Sequence, residues 1–73
     1  MSFVIAEIQF FERLGYNTKY WRKSVDGTKT ICHLEYAEIL AYDLHDNPKV
    51  QIVDASKAQE IMATEEWTQE ENI

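Results

Sequence analysis

Cys32 and His33 stand side by side, and a thiol beside an imidazole is the pairing in this chain that most invites a chemical reading. A cysteine nucleophile needs its base within hydrogen-bond reach. The residues around this pair, Thr30 and Ile31 among them, favour a strand, where neighbouring side chains point to opposite faces and cannot share a proton. A buried structural cysteine is the better reading. The other histidine, His45, lies between Asp43 and Asp46. These three could offer metal ligands, but their spacing matches no recognised site, and a solvated helix end accounts for them. Two glycines, Gly15 and Gly27, cannot build a glycine-rich phosphate loop, and the acidic residues lack the spacing of a calcium-binding loop. Paired carboxylates at Glu65-Glu66 and Glu70-Glu71 would need a shielded pocket for acid-base work. The chain is therefore expected not to be an enzyme, and no catalytic residue, metal ligand or cofactor site is assigned.

Two stretches suit binding better than catalysis. Lys19, Tyr20, Trp21, Arg22 and Lys23, with Lys29 nearby, interleave basic and aromatic side chains. On a sheet, such a set can hold a phosphate backbone and stack bases. The competing reading places Trp21 in the core, Lys19 and Lys23 in solvent and Tyr20 at the sheet edge. The second stretch is Glu65, Glu66, Trp67, Glu70 and Glu71, an acidic segment around one aromatic anchor suited to a basic partner surface. Its competing reading is a helix whose last turn buries Trp67, which roughly continues the face of Ile61 and Met62.

Charge bears on the choice. The chain of 73 residues has a net charge of -6, yet residues 1–33 sum to +2 and residues 34–73 to -8. The overall negative charge weighs against binding phosphates. The division favours a protein partner or self-association, steered by charge and anchored by apolar contact.

The elements that must position these residues follow from periodicity. Residues 3–11 align apolar side chains either as a strand (Val4, Ala6, Ile8, Phe10) or as a helix (Val4, Ile8, Phe11, Leu14), with the β-formers favouring strand. Asp26-Gly27 between β-rich stretches predicts a hairpin with a two-residue type I′ turn, pairing Val25 with Thr28, Lys23 with Thr30 and Trp21 with Cys32. Ile31 would then fall on the more polar face, a warning about the register. Tyr36, Ala37, Leu40, Ala41 and Leu44 recur at helical spacing, and His45-Asp46-Asn47-Pro48 ends that helix. Lys49 to Val53 forms a short strand. Asp54 or Ser56 caps a second helix through Ala58, Ile61 and Met62. The expected fold is α+β: about four strands in a small, mostly antiparallel sheet, in the order β-β-β-α-β-α, with helices on one face. Residues 1–64 form one compact domain and residues 65–73 an acidic, fraying tail.

Composition is that of a folded protein, 45% hydrophobic and 12% aromatic. A single cysteine excludes an internal disulfide and fits a reducing cytoplasm. The N-terminal stretch lacks early basic residues and carries Glu7 among its apolar residues, making it a poor signal peptide, and no apolar run is long enough to span a bilayer. The expected function is a small cytoplasmic interaction or regulatory module that binds another protein or itself as a homodimer, through Trp67, Glu65, Glu66 and Glu70. The alternative is nucleic-acid binding through Lys19, Tyr20, Arg22, Lys23 and Lys29.

Overall fold

The computed structural model describes residues 2–68. Its first segment corrects the strand expected over residues 3–11, which holds only to Glu7, and adds a helix that the expected order β-β-β-α-β-α lacked. Ser2–Glu7 is strand β1, and Ile8–Arg13 follows at once as helix α1. The junction is tied by the Ile8 N–H, which donates to the Thr28 carbonyl at 2.9 Å. The helix stops at Gly15, whose φ of +96° lies in the left-handed region that glycine enters at no steric cost. Its N–H donates to the Glu12 carbonyl.

The hairpin comprises β2, Arg22–Lys23, and β3, Lys29–Leu34, in the expected register: Lys23 faces Thr30 and Arg22 faces Ile31. The connection is longer than a two-residue turn. Ser24 and Lys29 still pair, leaving Val25 to Thr28 as a four-residue loop. Gly27 has a φ of +76° whereas Asp26 does not enter positive φ, so the turn is not type I′. The reason is the Asp26 side chain. Its carboxylate accepts from the Ser24 hydroxyl (2.7 Å), the Thr28 N–H (3.0 Å) and the Thr28 hydroxyl (2.7 Å), closing the loop through side-chain bonds.

After β3 come helix α2, Tyr36–Ala41, and a 3-10 turn at Leu44–Asp46. Strand β4, Gln51–Val53, and helix α3, Ala55–Met62, complete the set. Asp54 caps α3, its carboxylate accepting the Lys57 N–H at 2.8 Å. The four strands form one antiparallel sheet in the order β2-β3-β1-β4, so the fold is α+β as expected.

The helices, however, cover both faces of the sheet rather than one. Val4, Ala6, Cys32 and Leu34 point to a face closed by Phe11 of α1, Ile39 of α2 and Leu44. Their neighbours Ile5 and Ile31 point the other way and are closed by Ala58 of α3 and by Trp67. Adjacent strand residues alternate faces, so a sheet with Phe3-Val4-Ile5-Ala6 at its centre has apolar side chains on both sides and needs two covering layers. Ile31 is thus core on the second face, and the register that seemed to misplace it is correct.

Candidate protein-binding surface

The chemical pairs come apart in the fold. Cys32 is buried on the first face, and burial, with a smaller contribution from the negative charge of Glu38, pushes its thiol up to about 12. His33 is exposed beside the ring of Phe3, at 5.3 Å between centroids. The thiol is neither ionised at neutral pH nor placed to use the imidazole. Asp43, His45 and Asp46 do come together, with ligand atoms within 4.8 Å of one another. All three are exposed, and the His45 Nε2 lies 3.7 Å from Asp43 and 3.4 Å from Asp46. They form an exposed cluster just beyond the end of α2.

The basic hairpin is divided between structure and solvent. Trp21 packs edge-on against Phe11 at 5.2 Å and beside Tyr16 at 5.5 Å, which makes it part of the first cluster. Lys23 is turned back on its own loop, where its ammonium donates to the carbonyls of Thr18, Trp21 and, more weakly, Lys19. A lysine has three donors, and here all three face backbone. Lys19 lies over the ring of Tyr20 at 5.1 Å, and Tyr20 is 53% exposed. Arg22 is half-buried and Lys29 exposed.

The acidic segment is placed differently from the expectation that made it a docking tail. Glu65 and Glu66 are exposed, but Trp67 is 5% exposed and packs with Ile5, Ile31 and Ala58. Its backbone runs antiparallel to the hairpin and bridges to Ser24. The Val25 N–H donates to the Glu66 carbonyl at 2.8 Å, and the Thr68 N–H and hydroxyl both donate to the Lys23 carbonyl, at 3.2 and 3.0 Å. The compact structure therefore continues past residue 64 to Thr68, and the indole is occupied by the chain's own core. Glu70 lies outside the described residues.

Among the described residues, the exposed large apolar side chains are Tyr20 and Val25 on the hairpin and Tyr36, Leu40 and Tyr42 on or at the end of α2. Tyr36, Ala37, Leu40 and Ala41 sit on one side of this helix, within about 140° of arc at 100° per residue. These are four of the five residues that periodicity aligns; the fifth, Leu44, lies beyond α2 in the 3-10 turn and is buried. Within α2 the structure buries Ile39 and leaves the stripe outward: Tyr36 is 70% exposed, Leu40 is 48% exposed, and both alanines are exposed. The helix is held in this rotation from its other side. Glu38 accepts a hydrogen bond from the Tyr16 hydroxyl at 2.6 Å and one from the Glu35 N–H at 3.3 Å. Those bonds hold the Glu38 carboxyl below the usual carboxylate range, the tyrosine contributing most. Tyr42 leans against Tyr16 at 6.0 Å, next to this bond. The sequence marks this stripe by its helical spacing, but periodicity identifies an apolar face without saying what covers it.

Among the described residues no helix is long and apolar enough to cross a membrane. No known protein family, curated protein or solved structure matches this chain.

Proposed function

We propose that this chain is a small, non-enzymatic interaction module that binds another protein through the outward stripe of α2. The observation that carries the reading is the exposure of Tyr36 and Leu40, one helical turn apart, on a helix whose inward face is already satisfied by Ile39. Exposed apolar side chains grouped on one element mark interaction sites more often than scattered ones do. An intracellular setting belongs to the same proposal, supported by the lone, buried thiol of Cys32.

Leu40→Asp tests it. The side chain is half exposed, so the variant should keep its melting temperature within a few degrees, the range of an ordinary surface change. In parallel affinity captures from the native cell, the wild-type chain should retain a protein that the variant loses. Identical captures from both would remove α2 as the binding surface.

A second reading, nucleic-acid binding, keeps one supporting observation: Tyr20 is exposed, with the Lys19 ammonium over its ring and Arg22 next in sequence. Single-stranded RNA or DNA that binds with a steep salt dependence, and loses affinity on Tyr20→Ala, would favour it over the first.

A further inference from the structure

We infer that the occupant of the α2 stripe is a cationic, amphipathic helical segment of a partner protein. The inference rests on the reading of α2 as the binding surface and adds what the surface selects. Between Leu34 and Pro48 the chain carries Glu35, Glu38, Asp43 and Asp46 and no lysine or arginine. Glu35, which caps α2, and Asp43 and Asp46, which flank His45, are exposed just outside the two ends of α2, so a partner lying on the stripe meets carboxylates at either end. Ala37 and Ala41 form a low strip one turn long, bordered by Tyr36 and Leu40. A strip of small side chains lets a second helix approach closely, since the distance between packed helices is set by the residues at the contact. Tyrosine and leucine then supply the apolar anchor, and lysines or arginines flanking the partner's apolar face complete the match.

Charge also decides against the other occupants. A second copy would set the same acidic rim against itself across a two-fold axis, with each chain at -6 overall. A nucleic acid would bring phosphates to the same acids.

Two synthetic helical peptides of about four turns provide the probe, sharing one leucine-rich face and differing only in lysine or glutamate on its flanks. Each is titrated into the full chain while the backbone amide resonances are followed. The lysine peptide should shift the resonances of residues 35–46 and bind about tenfold more tightly than the glutamate peptide, the ratio that two or three rim ion pairs supply. Added salt should narrow that ratio by screening. Glu35→Gln combined with Asp46→Asn, which removes the charges and keeps an acceptor at the α2 cap, should narrow it too in a chain whose circular dichroism is unchanged. Equal affinity for both peptides at the α2 resonances would overturn the inference and leave the α2 surface standing. Shifts confined to the hairpin, or no binding by either peptide, would overturn the inference. In the latter case, the captures with Leu40→Asp would still decide independently whether α2 binds a protein at all.

Discussion

Trp67→Ala is the perturbation that most directly separates a core residue from a docking residue. The indole is 5% exposed and fills the second face of the sheet between Ile5, Ile31 and Ala58. Truncating a buried tryptophan to alanine costs about 3–5 kcal/mol, through lost apolar burial and the cavity left behind. A chain of this length is expected to be stable by about 4–11 kcal/mol, at 0.05–0.15 kcal/mol per residue. The substitution therefore removes about a quarter of the stability at the least and all of it at the worst. Deleting everything from Glu65 onward should be harsher. It also removes the bonds made by the Val25 N–H, the Thr68 N–H and the Thr68 hydroxyl, each about 1 kcal/mol, and uncovers the outer edge of β2. Urea unfolding followed by far-ultraviolet circular dichroism reads the result, with Trp21 fluorescence as an independent probe of the first cluster. The midpoint should fall sharply for Trp67→Ala, and the truncated chain should be largely unfolded without urea. A loss below about 1 kcal/mol for Trp67→Ala would refute the placement and return the acidic segment to the role of a partner-binding tail.

Other expectations are narrower. Gly27→Val should destabilise the chain by about 1–3 kcal/mol, measured by thermal unfolding; a Cβ there meets nothing within 4 Å, so the cost is the strain of a φ of +76° alone. Cys32 should resist a thiol reagent at neutral pH at the rate of global unfolding, because burial holds the thiol protonated at up to about 12; prompt labelling of the folded chain would contradict its place beneath the sheet. Asp26 should titrate at about 2 in the folded chain, against an ordinary value of 3.8, because the Ser24 hydroxyl and the Thr28 N–H and hydroxyl bond its charged form. A lowered folded value means that its contribution is complete above about pH 4 and is lost as pH falls through 2, so Asp26→Asn should flatten the acid limb of the stability curve over that window. Lys23→Met should loosen the loop of residues 18–21, whose carbonyls the ammonium holds, and speed amide exchange there while leaving β1 and β3 protected.

Local chemistry accounts for most of what was legible in advance. The hairpin register could be read because Asp26-Gly27 centres the connection, which fixes the pairing even though the loop is four residues long and not two. Lys23 does face Thr30. The start of α3 could be narrowed to Asp54 or Ser56, and the structure uses Asp54, which accepts the Lys57 N–H and leaves Ser56 inside the helix. The ambiguity of residues 3–11 was itself informative: the segment carries both periods and uses one after the other, in β1 and α1. These signals act over a few residues, so they survive whatever the remainder of the chain does.

What tertiary structure decided was which apolar face is covered and by what. Ile31 looks misplaced until Trp67, 36 positions later, closes the second face of the sheet over it. Helical spacing marks an apolar face on α2, and the Tyr16–Glu38 bond and the burial of Ile39 turn Tyr36 and Leu40 of that face outward. Trp67 looks like a tail anchor until Glu66 and Thr68 pair with the hairpin edge. Periodicity tells that a face is apolar, because it depends only on the geometry of one element. It cannot tell whether that face meets the chain's own core or a partner. That outcome rests on contacts between residues far apart in sequence, and those exist only once the sheet has brought its layers together.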